Sequence, residues 1–379
     1  MIGIGPSQAY GPGSPPPIQA WVRPQDWLPL PAPGAETFIG LFAVFNTSVA
    51  DSNRVGIIFE GNYTVNWGDG TIENVASGVQ RDHAYDYATL PASTTTSFGY
   101  RQAIVVVTPQ AGQHLTLINL DVRPAAFIAA EFPVVPWLDI LINMPNCVTQ
   151  TVAYYLNVGL GMCQQITVLT LGSCASVLGL FASSPSIQST PLFDTSNVTD
   201  FVGMYEYNVG IREIPPFKTS NGTNFGSIFS NTLLLETGPD IDISNATALG
   251  AMFQNSHISS IPSYNTSKCS DFRYMFCGAD TIREIPAIDV SGAGPGALDF
   301  MFNNGTDFSY SLAKCSMTGI GASVDFTNSL LSTAAIVEIF GNLKTAVGQT
   351  ITVTGNYGSA GLTAPDLLIA TAKGWTVVQ

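Results

Sequence analysis

Asp194-Thr195-Ser196-Asn197-Val198-Thr199-Asp200-Phe201-Val202-Gly203-Met204-Tyr205 is the stretch that decides the fold, because close copies of it recur along the second half of the chain. The serine of successive copies is Ser196, Ser220, Ser244, Ser267 and Ser291, at spacings of 24, 24, 23 and 24 residues. An apolar–aromatic pair follows eight residues after the serine in four copies and ten residues after it in the fifth. These pairs are Met204-Tyr205, Ile228-Phe229, Met252-Phe253, Met275-Phe276 and Met301-Phe302.

A regular period of this length predicts a solenoid, in which each unit buries an apolar face against its neighbours. We expect one short strand and one helical or 3₁₀ turn per unit, with the five pairs stacked in a common spine. Short segments such as Ile211–Pro215 and Ile282–Pro286 join the units. A weaker copy contains Ser173, so the solenoid is predicted over residues 129–345, with six or seven units starting near residue 135.

The repeated segments closely resemble the BspA-like leucine-rich repeats of bacterial surface antigens, over about residues 165–302. Lys268 and Gly292 depart from that pattern, and Gly294–Gly296 interrupts the last clear unit. The resemblance implies a leucine-rich-repeat solenoid that presents a binding surface. Residues 346–379 end in a helix-like run and a strand with Trp375, similar to the last unit of such proteins, and are predicted to cap a complete array.

Residues 36–128 show the alternation of short strands joined by turns. Strands are predicted over 38–45, 55–59, 63–67, 103–108 and 115–122. The segment Trp67-Gly68-Asp69-Gly70, followed by His83 and Tyr85, resembles the signature of polycystic-kidney-disease-type (PKD) immunoglobulin-like domains. The resemblance implies a β-sandwich that serves as an extracellular spacer or contact module. The overall fold class is therefore mainly β.

Residues 1–35 are rich in proline and glycine, which excludes a helix and favours an extended arm. The arm carries large side chains that a solvated linker would lack: Trp21, Arg23, Trp27 and Leu28. Two interpretations stay open. Either the arm packs back on its own domain, or it anchors the protein to a larger assembly. The segment 21–31 is similar to a leader found before PKD-like domains in virion proteins of marine tailed phages.

Composition restricts the function further. The formal net charge is −14 with only 13 lysines and arginines, so we expect neither nucleic acid binding nor attraction to anionic membranes. The start of the chain has no secretory signal peptide, and no apolar run is long enough to cross a membrane. The six cysteines lack the spacing of a zinc site and are expected to be buried and reduced.

No residue pattern points to catalysis, a metal site or a cofactor. Each of the three histidines is better explained by a structural or surface role, and the sequence lacks a nucleophile elbow. Aspartates recur at one repeat position as Asp194, Asp242 and Asp289, where calcium binding and turn capping are the two possibilities. Turn capping is favoured, because lone carboxylates one unit apart rarely supply six oxygens to one ion. The same choice favours a turn role for Asp69.

These observations predict an exposed structural or adhesive component of a tailed phage virion: a tail fibre, head fibre or capsid decoration. The chain would be made in the host cytoplasm and incorporated through its arm by a portal, tail or capsid protein. A host cell-surface receptor and a homo-oligomeric state are further expectations. A bacterial surface adhesin of the leucine-rich-repeat type and a purely architectural particle-stabilising protein remain as alternatives.

Overall fold

The computed structural model describes residues 21–46, 53–122, 135–151, 160–302 and 312–379. The chain is mainly β, and its second half is a β-solenoid of about eight turns. The predicted solenoid is thus confirmed. Within the described ranges, neither α-helix has the length and hydropathy that crossing a bilayer requires.

The described residues up to 122 contain seven strands: β1 (Thr37–Val44), β2 (Arg54–Glu60), β3 (Tyr63–Asn66), β4 (Ile72–Val75), β5 (Arg81–Ala84), β6 (Arg101–Pro109) and β7 (Leu117–Asn119). A 3₁₀ turn at Ala92–Thr94 precedes β6. Five of these strands coincide with those predicted from the alternation, while β4 was not predicted and β5 falls on the segment around His83. We call residues 37–122 the two-sheet module.

Two sheets of this module pack against each other. Within the module, one sheet has the strand order β1-β6-β3-β4 and the other β5-β2-β7. The ring of Phe38 on β1 lies 5.6 Å from that of Phe59 on β2, so side chains of both sheets meet in one core. Strand β3 alternates as expected, with Tyr63 and Val65 buried and Asn66 exposed. Strand β1 is buried along its whole length, since both of its faces are covered.

The solenoid continues directly from these sheets. Three strands make the connection: β8 (Trp137–Asn143), β9 (Thr149–Thr151) and β10 (Gln165–Thr170). Strand β8 pairs antiparallel with β1, whereas β10 pairs parallel with β8 and β9 pairs parallel with β7. Both sheets therefore cross the sequence boundary set at 128/129, and the module and the solenoid share one hydrophobic cluster.

From Ser176 onward the coils are held by isolated parallel bridges rather than long strands. One such ladder runs Ser176, Asp200, Asn224, Ala248 and Asp271. In each coil alternate N–H groups donate to the next coil, as from Phe225 to the Ala248 carbonyl and from Phe229 to the Met252 carbonyl. The intervening N–H groups close turns within the coil, as from Ile228 to the Phe225 carbonyl.

The expected helical or 3₁₀ turn in each unit is wrong for residues 171–302, where the described chain contains none. Two recurring residues with positive φ, four positions apart, interrupt any helical run. The first of these positions is occupied by Gly179, Gly203, Ser227, Ala251, Tyr274 and Phe300. The second is occupied by Ser183, Tyr207, Asn231, Asn255 and Gly278.

The apolar–aromatic pairs lie in the centre of the solenoid. Their rings form a column of seven, which we call the aromatic spine: Phe181, Tyr205, Phe229, Phe253, Phe276, Phe302 and Phe326. Neighbouring centroids are 4.8 to 5.9 Å apart, and the ring planes differ by no more than 27°. The methionines and the isoleucine of the pairs are buried beside the column.

The last coils form a cap that was only partly predicted. It contains β11 (Glu284–Ile285), β12 (Lys314–Cys315), β13 (Val324–Asp325), α1 (Thr333–Asn342), β14 (Thr350–Thr352), α2 (Ala364–Thr371) and β15 (Thr376–Val378). A 3₁₀ turn at Ser359–Gly361 precedes α2. Helix α2 and strand β15 match the predicted helix-like run and terminal strand. Helix α1 was not predicted, and it packs on α2, so the cap begins before residue 346.

Side-chain hydrogen bonds define the helix starts in the cap, and a buried tryptophan packs there. The Ser332 hydroxyl accepts from the Ala335 N–H and starts α1, while Thr363 and Asp366 form a capping box at α2. Trp375 is buried, and its Nε1 donates to the Lys344 carbonyl at 2.7 Å. The indole thus belongs to the hydrophobic cluster of the solenoid with its N–H satisfied.

Replacement of Phe253 by alanine tests the aromatic spine. Phe253 is fully buried between the rings of Phe229 and Phe276, so the cavity should lower the free energy of unfolding by about 3–5 kcal/mol. Urea denaturation followed by circular dichroism measures the change. Leu233→Ala, at an exposed residue, is the control and should change stability by less than about 0.5 kcal/mol. Equal effects of both substitutions would contradict the stacked arrangement.

Candidate functional site

The turn after β3 brings together the residues of the PKD-type signature. The Asp69 Oδ2 lies 2.7 Å from the His83 Nε2, and the His83 ring stacks on the Trp67 ring at 4.7 Å. The Tyr85 hydroxyl donates to the Trp67 carbonyl at 2.8 Å. Gly68 has a φ of 82°, and a Cβ there would lie 2.5 Å from the Ile104 carbonyl oxygen, so only glycine fits.

This cluster connects the two sheets. Asp69 lies between β3 and β4 of one sheet, and His83 lies on β5 of the other. Burial opposes ionisation of Asp69, but the Thr71 N–H and the His83 ring together lower the pKa of its carboxyl. Burial raises the pKa of the Tyr85 hydroxyl well above its usual range. The carboxylate of Asp69, the His83 Nε2 and the Tyr85 hydroxyl all make internal contacts, which agrees with a structural role for these residues.

The four side chains expected in the anchoring arm pack on the chain's own sheet. Trp27 is buried and its Nε1 donates to the Tyr100 hydroxyl at 3.0 Å. The Arg23 guanidinium pairs with Asp139 at 3.0 Å and lies over the Trp27 ring. The Leu28 N–H donates to the Gln102 Oε1, and the Trp21 Nε1 donates to the Gln164 Oε1. Together they cover the outer face of β1.

The interpretation in which the arm packs on its own domain therefore holds for residues 21–35. The expectation that Trp21, Arg23, Trp27 and Leu28 contact another protein stays a prediction, and within the chain Trp21, Trp27 and Leu28 pack with Leu41 and Ala43. Burial raises the pKa of Asp139, and the adjacent Arg23 partly offsets that effect. Residues 1–20, the rest of the predicted arm, lie outside the described residues.

The repeated aspartates cap turns, as predicted. The Asp194 carboxylate accepts from the Ser196 N–H, and Asp242 accepts from the Ser244 N–H in the same way. Asn265 and Asp289 make the equivalent bond to the serine two residues later. Within the described ranges, no group of three or more histidine, cysteine or acidic side chains could hold a metal ion.

A second row of polar side chains also serves the coil backbone. The Thr223 hydroxyl donates to the Thr199 carbonyl, and the Thr247 hydroxyl donates to the Thr223 carbonyl. The Asn221 and Asn245 amides donate to the serine carbonyls of the preceding coil. This exposed face is thus largely satisfied by internal hydrogen bonds and offers few free groups to a ligand.

The coils between Ser270 and Thr352 differ from the earlier ones because their surface carries two depressions. Two neighbouring depressions of about 350 and 310 Å³ share Asp299, and we call them together the solenoid groove. Their lining includes Asp271, Arg273, Asp299, Phe300, Ser323, Asp325, Thr350 and Thr352. Tyr274 stacks on Phe300 beside it, with centroids 5.0 Å apart and planes 9° apart. The sequence analysis missed this site; its signal was two aromatics at a repeat position that elsewhere carries glycine, serine or alanine.

The cysteines lie in or beside the apolar core, and a contact between two of them lowers the pKa of Cys174 and raises that of Cys147. All six are free thiols, and five of them are buried. Burial raises the pKa of Cys269 and Cys315 to about 12, so they stay protonated near neutral pH. They act as small apolar side chains of the core, as expected.

Comparison with known proteins shows that part of the solenoid is similar to one protein family. A family model described as "Mycoplasma protein of unknown function, DUF285" matches residues 175–288 and, in an overlapping match, residues 212–315. No curated protein and no solved structure matches the chain. The solenoid coils are thus similar to a family described from Mycoplasma, and the match does not extend to the two-sheet module.

Replacement of Trp27 by alanine tests the docking of residues 21–35. The change removes a buried indole and its bond to Tyr100, so we expect a loss of about 3 kcal/mol in the free energy of unfolding. Val22→Ala is the control, since Val22 is 76% exposed and should change stability by under about 0.5 kcal/mol. Chemical denaturation measures both. An unchanged stability in Trp27→Ala would show that the segment does not hold the sheet.

Glu206 makes stability depend on pH. It is only 6% exposed, and burial raises the pKa of its carboxyl to about 7. Because the folded pKa lies above the usual 4.5, the stabilisation is complete below pH 4.5 and is lost as the pH rises through 7. Acidification from pH 8 to 5 should therefore stabilise the wild type relative to Glu206→Gln, on the order of 2 kcal/mol. Exposed Glu236→Gln is the control, and parallel pH profiles of all three proteins would refute the assignment.

Proposed function

We propose that the chain is a non-enzymatic structural and adhesive component on the exposed surface of a tailed phage virion. In this role the two-sheet module is a spacer of the PKD type, and the solenoid is a leucine-rich-repeat-like binding surface. The tail fibre, head fibre and capsid decoration are the three places in the particle that fit these properties.

The observation that carries the proposal is the continuity of the two modules. Both sheets pass from the two-sheet module into the first coils, and the aromatic spine then runs from Phe181 to Phe326. Strand pairing therefore joins the described parts of the two modules through both sheets. Such a chain can present a surface at a distance from its anchor with little conformational entropy lost on binding.

The state of the titratable groups supports a role without catalysis. His83 is held by Asp69, and His114 by Glu36 at 2.9 Å. Both histidines are thereby used in internal contacts among the described residues. We propose no cofactor. The net charge of −14 favours solubility of many copies and opposes contact with nucleic acid or an anionic membrane.

Attachment is proposed for residues 1–20, since residues 21–28 are engaged with the sheet. The proposed partners are a portal, tail or capsid protein at this end and a host cell-surface receptor at the solenoid. A homo-oligomer would multiply weak contacts to that receptor.

A bacterial surface adhesin is the second candidate. It is favoured by the similarity of the coils to a family described from Mycoplasma, a cellular bacterium. The same chain would then stand on a cell instead of a particle.

Particle composition tests the proposal. Immunogold labelling and mass spectrometry of purified particles should detect the chain, and deletion of residues 1–20 should abolish its incorporation while the Trp27 contacts persist. A scrambled sequence of the same twenty residues is the matched control for length and composition, and it should also fail to incorporate.

Three results would each overturn the proposal or one part of it. Absence of the chain from particles, together with labelling of intact bacterial cells, would establish the adhesin. Full incorporation of the deletion variant would show that residues 1–20 are not the attachment segment. A gene deletion that destabilises particles but leaves host adsorption unchanged would leave only the architectural role.

A further inference from the structure

We propose that the solenoid groove binds a neutral polysaccharide chain on the platform formed by Tyr274 and Phe300. The inference rests on the proposed function, for which it names the class of ligand. It is carried by the backbone conformation of these two residues, their exposure and the polar groups around them.

Tyr274 and Phe300 occupy a backbone position that disfavours them. Their φ angles are 58° and 57°, in the left-handed region that bulky residues rarely adopt. Equivalent residues of earlier coils are Gly179 and Gly203, then Ser227 and Ala251. Aromatic side chains here oppose folding, and strained residues of this kind concentrate at functional sites.

The two rings are also exposed without a role in the core. Tyr274 is 38% exposed and Phe300 is 47% exposed, whereas Phe276 and Phe302 of the same coils fill the aromatic spine. The exposed rings stack on each other, with centroids 5.0 Å and planes 9° apart, so each covers one face of the other along the solenoid axis. The remaining exposed surface of Phe300 lines one depression and suits the apolar face of a pyranose ring, whose C–H groups point at the negative face of an aromatic ring.

The surrounding groups suit sugar hydroxyls. Asp299 is exposed between the two depressions, and its carboxylate makes no side-chain hydrogen bond within the described ranges. Arg273 is held by two parallel bonds to Asp271, both 2.8 Å long, which fixes the direction of its remaining donors. Thr350 and Thr352 line the far side. Carboxylates accept from hydroxyls, and the guanidinium donates to them.

The charge of the groove selects among glycans. Its lining contains Asp271, Asp299 and Asp325 against one cation, Arg273, which Asp271 already neutralises. An anionic polymer would meet uncompensated carboxylates. A neutral polysaccharide meets carboxylates that accept from its hydroxyl groups, and the exposed aromatic surface of Phe300 can contact its sugar rings. The two depressions extend the surface over several coils, which is the shape that a chain molecule requires.

The test uses the full chain and glycine substitutions. Tyr274→Gly, Phe300→Gly and the double variant remove the rings and suit the left-handed backbone, so folding should be unchanged or improved. Affinity electrophoresis should show retardation of the wild type by at least one of dextran, mannan, galactan, xylan or soluble chitin oligomers. We expect no retardation by alginate, a polyuronate. The double variant should bind the retarding polymer at least tenfold more weakly.

Tyr207→Gly is the matched control. Tyr207 is 48% exposed and has a φ of 57°, but it belongs to the other left-handed position and lies in a coil remote from the groove. The control should keep wild-type affinity and, like the other variants, wild-type stability.

Each other outcome overturns the inference. These outcomes are absence of retardation by every neutral polymer, equal affinity of the double variant, or stronger binding of alginate. Loss of cell binding by the double variant without any polysaccharide binding would assign the platform to a protein receptor. Particle labelling is independent of these measurements, so a failure here leaves the proposed location intact, and absence from particles leaves the glycan result intact.

Discussion

The register of hydrogen bonds between successive coils is the constraint on which the rest of the structure depends. Alternate N–H groups of one coil donate to the next, and this arrangement places Phe229 above Phe253 and Phe253 above Phe276. A change in unit length can occur only outside the bonded segment. The two extra residues of the fifth copy fall near Gly294–Gly296, before the bond from Phe272 to Ala297, so the spine continues without a break.

The same constraint explains how the ends are protected. An open sheet edge presents unpaired backbone groups that can recruit other chains. Here β8 extends one sheet of the two-sheet module by pairing with β1, and β9 extends the other by pairing with β7. These edges of the module and of the first coil are therefore paired with each other. At the other end β15 completes a parallel sheet with β13 and β14, and Trp375 covers the apolar interior. The two ends of the solenoid therefore differ in structure.

The sequence predicted what repeats or alternates, and it failed where contacts are made only in three dimensions. The period of 23 or 24 residues and the strand alternation were sufficient for the solenoid and for β1, β2, β3, β6 and β7. The helical turn was wrong because positive φ at residues such as Ser227 and Asn231 has no reliable sequence signal. The docking of Trp27 depends on Tyr100, 73 residues away, and the solenoid groove on coils brought together by folding. Among the predicted site residues, only the pairs of the spine and the group around Asp69 are brought together as expected.

In a repeat protein whose regular polar side chains bond to its own backbone, the residues that depart from the repeat are the better candidates for a function. The threonine row and the capping aspartates are bonded to backbone groups, so their regularity reflects coil formation rather than recognition. Departures from the pattern are concentrated in the coils at 267–302, where Lys268, Arg273, Tyr274 and Phe300 replace smaller or neutral residues. Substitutions that fold formation does not require, and that backbone strain opposes, persist most readily where a ligand compensates for them. The regular residues therefore build the solenoid, and the irregular ones mark the surface that we propose for binding.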